Sequence, residues 1–171
     1  MSEKADGKED LISLVTIRKG QPKDIPLIKQ CLIDSWVEHA KQEPGLLDEE
    51  RMKASDVEGY YRECFDEPDK HFLFVAEADG KFAGFIRADI KEIPPFFKHP
   101  KILYLDDTYV LPEFRRKGIA RSLLQRAEEL AKEKGIKRLQ ARVYSFNVEI
   151  QKLLESMGYH TPHATWDKAI E

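Results

Sequence analysis

The segment from Lys101 to Tyr144 constrains this chain more than any other. Lys101 to Leu111 is an apolar run of strand character, and Pro112, which cannot donate to a sheet ladder, stops it. After a short basic turn, Ile119, Ala120, Leu123, Leu124, Ala127, Leu130 and Ala131 recur at helical spacing and form one apolar face. Gly135 marks the C-terminal cap of that helix. Arg138 to Tyr144 then alternates Leu139, Ala141 and Val143 with polar neighbours, the period of a strand. Strand, helix and strand in this order predict a parallel pair joined by a crossover helix.

The rest of the chain adds antiparallel pairs and covering helices. Leu14 to Arg18 reads as a first strand, followed by a helix capped by Asp24, with Pro26 in its first turn and Ile25, Ile28, Leu32 and Trp36 on one side. Pro44 and Gly45 break it; a second helix runs from Asp56 to Phe65 with Val57, Tyr60, Tyr61, Cys64 and Phe65 on its apolar side. His71 to Glu77 and Phe82 to Ile90 read as strands joined by a tight turn at Asp79-Gly80. Gly84 inside the second of these predicts a bulge or a close backbone approach. Ser145 or Asn147 caps a last helix ending at Gly158, and the tail from Tyr159 to Ile170 has room for one or two short strands. The expected fold is α/β, a mixed, mainly antiparallel central sheet flanked by helices on both faces. Residues 1–12 read as a fraying charged tail and 13–171 as a single domain.

Composition narrows the function classes. A net charge of -3 disfavours a nucleic-acid partner. No apolar run approaches the length of about 20 residues that a membrane span needs, and the N-terminus lacks the apolar core of a secretory signal, so no membrane role and a cytoplasmic location are expected. Cys31 and Cys64 have no metal-binding spacing and read as buried thiols; His160 and His163 lack a third ligand, so no metal is expected. The run Glu63, Asp66, Glu67, Asp69 reads as a solvated face able to attract a cationic amine.

The turn between strand and helix carries the chemistry. A helix N-terminus presents unpaired N–H groups and the positive end of the aligned peptide dipoles, which together favour an anion. Gly118 lets a ligand approach the main chain, and Arg115, Arg116 and Lys117 add positive charge. Neither a P-loop nor the dinucleotide fingerprint is present. The alternative is a basic, solvated loop.

Arg115-x-x-Gly118-x-Ala120, within Tyr109-Val110-Leu111-Pro112-Glu113-Phe114-Arg115-Arg116-Lys117-Gly118-Ile119-Ala120, resembles the R/Q-x-x-G-x-G/A segment of the GNAT N-acetyltransferases. Asn147, the helix after it and Met157-Gly158-Tyr159 resemble the end of the same domain. The resemblance implies acetyl-CoA as co-substrate and a primary amine as acceptor, either a small polyamine-like or amino-acid-like molecule or a peptide or protein N-terminus. It places the coenzyme A pyrophosphate on the amides of Arg116 to Ala120, with Arg121 close by. It pairs the pantetheine arm with a splayed strand at Tyr109, Val110 and Leu111, and lays Asn147 along that arm.

Direct attack of an amine on a thioester needs a base for the amine and a proton for the leaving thiolate. The family's usual tyrosine donor falls at Leu154, which cannot donate; Tyr144 and Tyr159 are the nearest substitutes. For the base, Asp106 and Asp107 stand out, because aspartate is rare in strands. Strand alternation sends them to opposite faces, so one is expected in the cleft. Glu38 and His39, ending the first helix, and Trp36, read mainly as core, belong to the region that shapes the acceptor pocket in the family. A non-catalytic acyl-CoA-binding regulatory module is the alternative that Leu154 favours, and exposed C-terminal strands would offer a homodimer contact.

Overall fold

The computed structural model describes residues 14–168 and 170. Five strands form one sheet in chain order: β1 (Val15–Lys19), β2 (His71–Ala78), β3 (Lys81–Glu92), β4 (Lys101–Val110) and β5 (Leu139–Ala141). The first four pair antiparallel, and β4 and β5 pair parallel. Helices α1 (Ile25–Gln42), α2 (Glu49–Lys53) and α3 (Val57–Asp66) precede β2; α4 (Ile119–Glu133) bridges β4 and β5, and α5 (Val148–Ser156) follows.

The sheet is buried on both sides, so alternate residues of one strand serve two cores. Leu73 and Val75 of β2 and Phe85 of β3 pack with Ile28, Cys31 and Leu32 of α1 and Val57, Tyr61 and Cys64 of α3. Phe74, Ala76, Ile86 and Ala88 face the other way, onto Leu123, Leu124, Ala127 and Leu130 of α4 and Leu154 of α5. A Leu side chain moved from water into such a core contributes about 1.5–3 kcal/mol, which is why the apolar stripe of α4 could be read from its spacing.

Several expectations change. Asp24 sits at the start of α1 but caps nothing there; it is buried and takes two hydrogen bonds from Arg18 of β1, at 2.8 and 2.9 Å, and one from the Gln21 amide at 2.8 Å. Helix α2 has no sequence periodicity to announce it: it is one polar turn capped by Asp48, whose carboxylate accepts from the Arg51 amide. Residues 159–168 and 170 form no strand, so the strands on which a homodimer contact was expected to rest are absent among the described residues. Strand β5 is only three residues long, because the chain leaves β4 after Ala141. The expected N-terminal tail lies outside the described residues. No described helix is long and apolar enough to cross a membrane.

Candidate active site

The β4–β5 ladder ends at Leu105 and Ala141, whereas β4 itself continues to Val110. The two strands therefore part, and a cleft of about 570 Å³ opens between them. It is walled by α1 and α3 on one side and by the segment from Ala141 to α5 on the other. Leu111 turns its amide to the Ala83 carbonyl on β3, at 2.9 Å. Alternation then points the main-chain groups of Val110 toward the open edge. The Val110 carbonyl there accepts from Arg115 Nε at 3.0 Å. Gly84 keeps β3 and β4 close at this level: a Cβ there would fall on the Tyr109 carbonyl oxygen.

Arg115 thus braces the end of β4, its guanidinium 5.4 Å from the Tyr109 ring centre, instead of reaching out from the turn. Beyond it, Arg116 (φ 60°) and Gly118 (φ 81°) take left-handed backbone and curl the chain into α4. Arg116 holds that conformation at a steric cost glycine does not bear. No described atom lies within 4 Å of the Cβ position at Gly118, so main chain is open to a ligand. The amides of Ile119, Ala120 and Arg121 have no backbone acceptor among the described residues. This is a fit for a pyrophosphate. Arg121 is tied by its guanidinium to Ser156 Oγ of α5 at 2.7 Å, and Lys117 lies in the same turn.

Asp106 and Asp107 break the expected alternation. Arg87 of β3 pairs with Asp107 and Ala88 with Leu105, so Asp106 is an extra residue, a β-bulge. One inserted residue reverses the parity of everything after it. Leu103 and Leu105 accordingly face the α4 core, whereas Tyr109 and Leu111 face the α1–α3 core. Both carboxylates now point to α3: the Tyr60 hydroxyl donates to Asp106 Oδ2, and the Tyr61 hydroxyl donates to Asp107 Oδ2 at 2.8 Å. Both carboxylates line the cleft.

Their charge states differ. Burial and the neighbouring Asp107 push Asp106 up to about 6, against the pull of Arg142. Burial also raises Asp107, but the Tyr61 hydrogen bond and the Arg87 charge oppose it. Behind them Arg87 is fully buried, held by Asp89 at 3.0 Å and Glu63 at 2.7 Å. Across the mouth, His39 of α1 packs edge-on against Tyr144 and Phe146, at 5.3 and 5.2 Å, and burial lowers its affinity for a proton. Asn147 caps α5, its Oδ1 accepting from the Ile150 amide, and its side chain lines the cleft. Tyr144 and Leu154 line the cleft too; Tyr159 does not, its ring packing into the α4 core. Trp36 does both, packing on the α1–α3 core and lining the cleft.

Residues 33–159 match the sequence model of the Acetyltransferase (GNAT) family. The chain belongs to the GNAT acetyltransferase family. Acetyl-CoA-dependent N-acetyl transfer is therefore its activity class. An uncharacterized N-acetyltransferase of Archaeoglobus fulgidus is 30% identical over 148 residues, 86% of this chain and 95% of the relative. A thialysine N-epsilon-acetyltransferase of Caenorhabditis elegans is 40% identical over 57 residues, 33% of this chain and 36% of the relative. Among solved structures, the aminoglycoside acetyltransferase AAC(6')-Iy, held with a coenzyme A–acetylneamine bisubstrate analogue, superposes with a TM-score of 0.68 at 21% identity, covering 93% of this chain and 99% of that one. The five-stranded mixed sheet with helices on both faces is the fold of this GNAT chain.

Sequence reasoning did not single out Tyr60, Tyr61, Arg87 or Arg142 as parts of this GNAT site. The two tyrosines fall on the apolar side of α3 and read as core; nothing in one sequence links them to carboxylates 46 positions away. Arg87 and Asp89 did leave a signal: two opposite charges, two residues apart, inside an otherwise apolar strand.

Proposed function

We propose that this acetyltransferase acetylates a small cationic amine, with Asp106 as general base. The β-bulge carries this reading: it brings a carboxylate whose proton affinity is centred near neutral pH to the cleft beside the open edge of β4. An Asp near 6 is largely ionised at pH 7.5 and can accept the proton the acceptor amine gives up as it attacks, directly or through a water in contact with it. Acetyl-CoA, when bound, supplies the activated thioester. The amides at the start of α4, with Arg116, Lys117, Gly118, Ile119, Ala120 and Arg121, would hold its pyrophosphate. The Val110 amide on the open β4 edge would hold the thioester carbonyl as charge develops on it. Asn147 would border the pantetheine arm. Tyr144, which lines the cleft together with Leu154, would return a proton to the thiolate.

The acceptor follows from the walls. Trp36, Tyr60, Tyr104, Tyr109 and Tyr144 line the cleft together with Asp56, Asp106, Asp107 and Arg142. Aromatic faces and carboxylates attract a cation, and the cleft has the size of a small-molecule site. The names of the relatives, thialysine and aminoglycoside acetyltransferases, describe amines on small polar molecules. Free buried thiols at Cys31 and Cys64 and an acetyl-CoA donor suit a cytoplasmic setting. We read residues 13–171 as one catalytic domain.

Thiol release from acetyl-CoA, measured against diamines, amino acids, aminoglycosides and short peptides, tests the acceptor. Turnover confined to peptides would refute the small-molecule reading.

A further inference from the structure

Asp106 is held by a device that the reaction itself does not require. The Tyr60 hydroxyl donates to its carboxylate. Tyr60 in turn is gripped twice by Arg87, whose guanidinium carbon lies 3.4 Å from the centre of the Tyr60 ring and whose Nη1 donates to the Tyr60 carbonyl. Arg87 is aimed by Asp89 at 3.0 Å, by Glu63 at 2.7 Å and by His71 Nδ1 at 3.2 Å. Arg87 also stands opposite the bulge, paired with Asp107 where the β3–β4 register shifts. Burying an arginine is costly, and an apolar residue of the same size would pack a core as well or better. A buried arginine that clamps the tyrosine holding the candidate base has a use that packing does not explain.

We infer that Tyr60, clamped by Arg87, is a positioning residue: it fixes the Asp106 carboxylate toward the cleft and sets the pH at which Asp106 takes up the acceptor's proton. This rests on the reading of Asp106 as the base. A phenol donating to a carboxylate favours its ionised form, so it lowers the proton affinity that burial raises. The other charged groups facing Asp106 are Asp107 on its own strand, Arg142 beyond β5 and Asp56 at the start of α3. His39 of α1 and the phenols of Tyr104, Tyr109 and Tyr144 complete the surroundings. Among these only Tyr60 bonds directly to the Asp106 carboxylate among the described residues.

The test is the pH profile of kcat/KM for the acceptor, with KM for acetyl-CoA followed in parallel. Tyr60→Phe removes the hydrogen bond, so the acidic limb should move up by about one pH unit, the size expected for one hydrogen bond to a charged group. KM for acetyl-CoA should stay unchanged. Arg87→Lys, which keeps the charge and loses the fork, should move the limb in the same direction by less. Tyr61→Phe, at the neighbouring carboxylate, should not move it upward. Difluorotyrosine at position 60 is a better donor in an intact fold and should move the limb below wild type. An unmoved limb in both Tyr60 variants, or a loss of rate equal at every pH, would overturn the inference. Asp106→Asn separates it from the reading beneath: if the acidic limb survives in that variant, the base assignment itself fails.

Discussion

Replacing Arg87 with Met probes the buried network most directly. Arg87 is 0% exposed and Asp89 3%. The substitution keeps most of the volume but removes the partner of a buried carboxylate. Asp89 is then left with His71 at 2.9 Å, while Glu63, half in solvent, regains water. Breaking a buried ion pair from one side costs about 3–5 kcal/mol. Asp89 keeps its contact with His71, so we expect a loss at the low end of that range, about 3 kcal/mol at pH 7.5. For a chain of this size that is a fall in Tm of about 6–12 °C. Denaturant unfolding at pH 7.5 measures it, and Arg87→Met combined with Asp89→Leu should recover at least half of the loss. A loss below about 1 kcal/mol at pH 7.5, or a double variant less stable than the single one, would show that the network is not balanced as described.

Four further outcomes follow from the site. Gly118→Val places a branched Cβ on left-handed backbone where a ligand would approach, so calorimetric titration should show coenzyme A binding lost while circular dichroism is kept. Asp106→Asn should lower kcat/KM about 10²–10⁴-fold, checked by thiol release. The same variant should be more stable than wild type above pH 6: the folded-state affinity of Asp106 is raised from 3.8 to about 6, so wild type loses stability as pH rises through that window. The gain, about 1 kcal/mol for a partly solvated group, should vanish below pH 4, as thermal melts at the two pH values would show. Tyr144→Phe should lower kcat about 10²-fold, with little effect on acetyl-CoA binding, in steady-state kinetics.

Much of the architecture was legible in advance because its signals are local. The spacing of apolar residues in α4, the stop at Pro112 and the Asp79-Gly80 turn each depend on neighbours within a few residues. The anion-site signal of the turn is local as well, since a helix start, a glycine and three basic residues are all read from one stretch of chain. The tail from Tyr159 to Ile170 had room for short strands, but a segment becomes a strand only if a sheet edge accepts it.

From sequence alone came the strand–turn–helix unit, the basic turn at Arg115–Ala120 and the presence of two unusual aspartates in a central strand. Only the tertiary structure decided where those aspartates point and what they touch. Whether a strand carries an extra residue depends on the register of its partner, and β3 is paired so that Asp106 is skipped. That slip reverses the parity of the strand and turns both carboxylates toward Tyr60 and Tyr61 in the cleft. A bulge is a property of two strands together, and a single strand read residue by residue has no means of showing it.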